Sequence, residues 1–284
     1  MKFKLVILSF TYLLEFIWAQ APIPEELLTS SVYIKLPNGM SATGFYFSDS
    51  INCFLVTAKH VFFEANDGKI SSETADLISY PRDPYTSPPN LLSCNLKFLL
   101  KRNLVVFHQQ FDVAVALIGE KEMIDSINAI IHYNESITKP DSKPSRVTYF
   151  YPSLLLESKD LLVGTDVYIT GYPSSLGMKE MPQLEPSQPL LRKGIVAGKN
   201  QKLNTIILDC PVYKGNSGSP VVAALQDGLK TDFKLIGIVS EFVPFVEYWY
   251  NDKYGYKNIE FSNSGYSIIA PVDVMLELIK QFNY

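Results

Sequence analysis

The sequence predicts an all-β protein of antiparallel sandwiches or barrels, with a single helix following the last strand. Three observations carry this. Short runs rich in Val, Ile, Tyr and Phe recur between Gly, Pro and polar turn residues. A helical period of apolar residues is convincing only once, after Pro271. The strand runs are not interleaved with helices as βαβ units require. The 284 residues suit about two domains or one large all-β unit. A chain of this size buries roughly 75% of its unfolded surface. With 47% hydrophobic and 19% charged residues, it forms a core without a disulfide scaffold or metal, and disorder is excluded as the main state.

The first residues read as an export signal. Lys2 and Lys4 form a basic end, Leu5 to Leu14 is uncharged and apolar, and Ile17-Trp18-Ala19 places a small residue at a cleavage point, with Glu15 the one departure from the pattern. Residues 1–19 are therefore expected to be a signal peptide cut after Ala19, giving a secreted or periplasmic protein. The apolar run falls short of the ~20 residues that span a bilayer, so no stable membrane anchor is expected after removal.

Strands then follow in two sets. Ser31 to Leu36, Ala42 to Phe47, Asn52 to Ala58, Asp112 to Ile118 and Arg146 to Tyr151 make the first. The second comprises Asp166 to Thr170, Leu190 to Ala197, Leu203 to Leu208, Ser219 to Ala223, Phe233 to Val239 and Tyr266 to Ala270. Between them, Ser71 to Asn90 and Asn134 to Ser145 read as proline-containing loops, and Val243 to Ser264 as a polar insertion crowded with Tyr and Phe. The aromatics of that insertion have two readings, packing a compact loop or rimming a peptide-binding cleft. Packing is the expected role, because such residues are usually buried. After Pro271, Val274, Leu278 and Phe282 recur every four residues beside Met275 and Ile279, with polar residues opposite. This predicts a helix docked by one face, with a structural role.

Charge and cysteines narrow the function classes. The formal net charge of −4 supplies no electrostatic footprint for a nucleic-acid backbone. Cys53, Cys94 and Cys210 leave at least one thiol unpaired and form no C-x-x-C motif. Free, buried thiols are expected. No metal motif, phosphate loop or dinucleotide fingerprint supports a cofactor enzyme. Asn134-Glu135-Ser136 is a glycosylation sequon, meaningful only in a eukaryotic secreted protein.

The most informative segment is Gly215-Asn216-Ser217-Gly218-Ser219-Pro220. Glycines on both sides of a serine permit a tight path that exposes the hydroxyl and turns N–H groups toward one point. A serine hydroxyl is a weak nucleophile and needs a base, which itself needs an orienting group. Of the three histidines, His60 directly follows an apolar strand, a setting that His108 and His132 lack. Asp112 stands at the head of the strongly apolar run Val113 to Ile118.

In order, T-A-x-H-V around His60, D-V-A-V-A from Asp112 and G-N-S-G-S-P around Ser217 resemble the chymotrypsin-fold serine peptidases. Gly171-Tyr172-Pro173, Arg192 to Val196 and Leu235 to Val239 are similar to the bacterial branch of HtrA-type and glutamyl-endopeptidase-like enzymes. The resemblance implies two six-stranded antiparallel β-barrels, residues 28–151 and 160–284, without a PDZ module. It implies Ser217 as nucleophile, His60 as general base, Asp112 as its orienter, and the backbone N–H groups of Gly215 and Ser217 as oxyanion hole. Asn216 stands where animal digestive enzymes carry the aspartate that pairs with a new N-terminus, so activation by that ion pair is not implied.

The same resemblance places a substrate pocket between Pro211, Val212, Tyr213 and Lys214 on one side and Ser240, Glu241 and Phe242 on the other. No acid lies at its base, and Val239 stands where glutamyl endopeptidases place a histidine. Neither basic nor acidic preference follows. Glu241 and Phe242 narrow or charge the entrance, and Ser240 either bonds the Asp112 region or serves strand polarity. The expected function is a secreted serine endopeptidase acting on peptides or proteins through an acyl-enzyme. The rivals are a silent peptide-binding module of the same fold and an exported β-rich scaffold protein.

Overall fold

The computed structural model describes residues 26–282 apart from 65–67, 82, 84, 86, 124–128, 140–146, 175–180, 182 and 229. The expected signal peptide lies outside the described residues. A first sheet, its central strands β2 and β3 buried on both faces, is built from β1 (Ser31–Lys35), β2 (Ser41–Ser48), β3 (Asn52–Thr57), β6 (Thr74–Ser79), β7 (Asn90–Asn95), β8 (Val105–Phe107), β9 (Ala114–Met123), β10 (Ala129–Tyr133), β11 (Ile137–Thr138) and β12 (Tyr149–Phe150). Its order is β10-β9-β3-β2-β1-β6-β7-β11, with β8 on β9 and β12 parallel to β2. The short pair β4 (Phe63–Glu64) and β5 (Lys69–Ile70) stands apart from it.

The second set closes on itself as the barrel β13-β14-β15-β18-β17-β16, from β13 (Asp166–Gly171), β14 (Leu190–Asn200), β15 (Thr205–Asp209), β16 (Pro220–Asp227), β17 (Lys230–Asn251) and β18 (Tyr256–Pro271). The fold is thus the expected mostly β architecture with a C-terminal helix, Val272–Ile279.

Several segments differ from the sequence reading. The run Ser71 to Asn90 contains β6, because Ala75, Leu77 and Ser79 alternate inward while Thr74 and Asp76 are exposed. Of Arg146 to Tyr151 only Tyr149–Phe150 is strand. The segment read as a polar insertion is a long two-stranded hairpin, in which β17 and β18 stay paired from Val239↔Ile269 out to Asn251↔Tyr256. Its aromatics are exposed rather than packed, including Phe245, Tyr248, Trp249, Tyr250, Tyr256 and Phe261. Among the described residues this ribbon, two strands wide, has no opposing layer to bury them.

Three apolar cores result. One fills the first sheet with Ile34, Tyr46, Leu55, Phe62, Leu77 and Leu92. Another fills the barrel with Ile169, Val196, Leu208, Val221, Ile236 and Ile269. The third lies on the seam, where Phe45, Phe54, Val56 and Val115 of the first sheet meet Leu235 and Ile238 of the barrel. The C-terminal helix seals this seam with Val274, Met275, Leu278 and Ile279, and the Phe282 ring lies 5.5 Å from that of Phe54.

Candidate active site

The end of β3 turns into the short helix Lys59–Phe62, because Val61 and Phe62 are drawn into the first core while His60 on the other side stays half exposed. Asp112 precedes β9 in a tight connection closed by the His108 amide donating to the Val113 carbonyl at 3.0 Å. Since β3 and β9 are neighbours, the two residues meet. Asp112 Oδ1 accepts from the His60 backbone N–H at 2.9 Å, and Oδ2 lies 2.6 Å from His60 Nδ1. Two contacts to one carboxylate fix both the histidine backbone and its ring, leaving Nε2 as the free nitrogen. The bond to Asp112 raises the pKa of His60; partial burial opposes the rise, and the charges of Asp112 and Glu241 add to it.

Ser217 lies in the turn between β15 and β16, at the seam. Gly215 (φ 97°) and Gly218 (φ 83°) both take the left-handed conformation, which suits residues without a Cβ. Their surroundings demand glycine as well: a Cβ at Gly215 would strike the Tyr172 carbonyl, and one at Gly218 the Thr43 carbonyl and Thr57 hydroxyl. Asn216 is buried; its side-chain oxygen accepts from the Tyr213 N–H at 3.1 Å and its own N–H returns a bond to the Tyr213 carbonyl at 2.9 Å. The amides of Asn216, Gly218 and Ser219 are bonded to Tyr213, Val239 and Asn216 carbonyls, whereas those of Gly215 and Ser217 donate to no protein acceptor among the described residues. Two free N–H groups flanking one turn are what a developing oxyanion requires.

Thr43 on β2 is the position in contact with the serine turn that the sequence reading missed. It is fully buried, its N–H donates to the Ser217 carbonyl at 3.0 Å, and its hydroxyl donates to the Gly215 carbonyl at 2.7 Å while accepting from the Tyr172 N–H at 3.1 Å. Thr57 in turn donates to the Thr43 carbonyl at 2.7 Å. The first sheet thereby grips the serine turn directly. The sequence signal is slight, a small polar residue near the start of β2 just ahead of the aromatic run Phe45–Phe47.

The proposed pocket walls also take up definite places. Val212 is buried, Pro211 and Tyr213 are half-buried, and Lys214 is exposed. Asn263 Nδ2 donates to the Val212 carbonyl at 2.6 Å, and the Arg192 guanidinium lies over the Tyr213 ring at 4.7 Å. Ser240, Glu241 and Phe242 follow Val239, which exchanges bonds with the serine turn: Gly218 N–H to the Val239 carbonyl at 2.8 Å and Val239 N–H to the Ser219 carbonyl at 3.0 Å. Glu241 and Phe242 are exposed. No hydrogen bond joins Ser240 to Asp112 among the described residues.

Comparison with known proteins bears on the fold and the family. Solved structures of similar fold include human heparin binding protein (12% identity, TM-score 0.53, 92% of this chain and 94% of that one) and the thermostable serine protease AL20 from an extremophilic microorganism (12% identity, TM-score 0.51, 91% and 98%). The HtrA-type protease AlgW with tripeptide matches at 17% identity and a TM-score of 0.45 over 90% of this chain; the chain spans 60% of that protein's length. At such identities the likeness concerns the fold alone. No curated protein matches the sequence. A family model does: the trypsin-like peptidase domain matches residues 42–229, a stretch that contains His60, Asp112, the serine turn and the Thr43 grip upon it. The chain therefore belongs to the trypsin-like peptidase domain family.

Proposed function

We propose that the protein is an exported serine endopeptidase in which Ser217, His60 and Asp112 act as one unit. The observation that carries this reading is the two-point hold of Asp112 on His60, beside a glycine-flanked serine turn with two uncommitted amides. With Nδ1–H on the carboxylate, Nε2 is the basic nitrogen. The Ser217 hydroxyl attacks the peptide carbonyl carbon and its proton passes to Nε2; the Gly215 and Ser217 N–H groups stabilise the oxyanion. Collapse breaks the C–N bond, the leaving amine takes the proton from His60, and water then hydrolyses the Ser217 ester by the same exchange. No cofactor enters these steps.

In this reading residues 28–151 supply base and orienter, residues 160–284 supply nucleophile and hole, and residues 1–19 direct export. Pro211 to Lys214 and Ser240 to Phe242 line the substrate cleft. A fluorophosphonate probe is expected to label the purified protein at Ser217, and Ser217→Ala to abolish both labelling and peptide hydrolysis with the fold intact. An unlabelled protein that still binds peptides would instead be a silent module of the same fold.

A further inference from the structure

β17 pairs on one side with β16 only as far as Ile238, because β16 begins at Pro220 and the chain before it is the serine turn. Val239 makes the last two bonds on that side, to Gly218 and Ser219. Beyond it β17 runs on to Asn251 with β18 along its other edge, and the edge that faced β16 has no partner among the described residues. The opened edge thus starts at the serine turn and leads away from it. About twelve residues at ~3.3 Å each make it roughly 40 Å long. An edge of this length is a template for another strand.

One face of the hairpin is mostly apolar, with Lys257, the cross-strand partner of Tyr250, lying over that ring. Tyr248 and Tyr250 stack with centroids 6.5 Å apart, Ile259 is the cross-strand partner of Tyr248, and Phe261 that of Val246. Tyr248, Tyr250, Ile259 and Phe261 are all exposed. Pro244 offers no N–H, and the register shifts between Phe242 and Pro244, so the ladder has one stretch beside the turn and another from Phe245 outward.

The geometry points to this edge as a long docking strand for an extended, unfolded polypeptide substrate whose apolar residues lie on the N-terminal side of the cleaved bond. This rests on the reading of Ser217 as nucleophile. Both strands paired with β17 are antiparallel to it, the one parallel contact being the single bridge of Leu235 to Leu155 before the serine turn, and a substrate strand that is also antiparallel runs from Asn251 toward Ser240. That direction sets the residues preceding the scissile carbonyl along the hairpin and delivers the carbonyl to Ser217. Main-chain bonds then supply binding, and the aromatic face selects apolar side chains at alternate positions. Binding remote from the bond that breaks raises the specificity constant of long substrates above that of short ones.

The test uses fluorogenic peptides with two, four, eight or ten residues before one cleaved bond, either apolar-alternating or Gly/Ser. For the wild type, kcat/KM should rise roughly tenfold from the two- to the ten-residue apolar peptide, the gain expected of a few cross-strand pairs, and stay flat in the Gly/Ser series. Joining Phe245 to Ser262 through Asn-Gly should remove the rise while keeping cleavage of the two-residue peptide. The combined Tyr248→Ser and Tyr250→Ser variant should reduce the rise without removing it. A rise that survives the shortened hairpin would overturn the proposal, as would loss of phosphatidylcholine-vesicle binding with the rise unchanged, which assigns the face to lipid. No rise in the wild type, with all peptides cleaved, would sink this inference alone; no cleavage and no fluorophosphonate labelling would sink the serine-peptidase reading beneath it.

Discussion

His60 is held by Asp112, but its titration is also shaped by Glu241. Only the neutral ring can accept the Ser217 proton, and a raised pKa keeps the ring charged to higher pH. The acid limb of kcat/KM is therefore expected above the ordinary histidine value of about 6.5. Glu241→Gln removes one of the charges that favour the imidazolium, so the limb should move to lower pH; a pH–rate profile of both proteins checks the direction. Thr43 acts through the serine turn rather than on substrate. Thr43→Val keeps the shape but strands the Gly215 carbonyl and the Tyr172 N–H, a buried loss of about 1–3 kcal/mol for each unsatisfied group. We expect kcat to fall with KM for a short peptide little changed, and Thr43→Ser to restore most of the rate. Gly218→Ala should lose activity outright, since the Cβ meets the Thr43 carbonyl, and the strained left-handed backbone would lower the urea midpoint as well.

At the scale of elements, the C-terminal helix shows what periodicity conveys and what it omits. The repeat Val274, Leu278, Phe282 beside Met275 and Ile279 predicts a helix with one buried face, and the structure has it at Val272–Ile279. That the face lies on the seam rather than on one sheet was not legible, because an apolar stripe says nothing of its partner. Met275 and Leu278 are buried there, so either truncation to Ala should cost about 2–5 kcal/mol, measured by urea unfolding. The hairpin of β17 and β18 failed to be read as strand for a related reason: Pro244, the register shifts and aromatics on both faces erase the in-out alternation that marks a half-buried strand. β6 was hidden by the prolines that follow it. The residues at the site were easier to read, since His60, Asp112 and the Gly-flanked Ser217 carry chemistry that few other residue types supply. Thr43 contributes only a hydroxyl and an amide to backbone atoms, and a small polar residue near a strand start distinguishes it only slightly.

Across the whole molecule, the thiols and the sequon follow from burial. Cys53, Cys94 and Cys210 are free and buried, and burial pushes the first two up to about 12 and the third to about 11. Thiol reagents at neutral pH should label the native protein far more slowly than the urea-unfolded chain. The sequon at Asn134 is spent on structure: its Nδ2 donates to the Leu117 carbonyl at 2.8 Å, its Oδ1 accepts from the Ser136 N–H at 3.0 Å, and Ser136 is buried. The serine turn, finally, is anchored to a strand of the other sheet through the Thr43 N–H. That proton is a clock for the seam. In deuterated water it exchanges when the two halves part, even if each sheet keeps its own ladders, so its rate measures how often the Ser217 turn is out of register with His60.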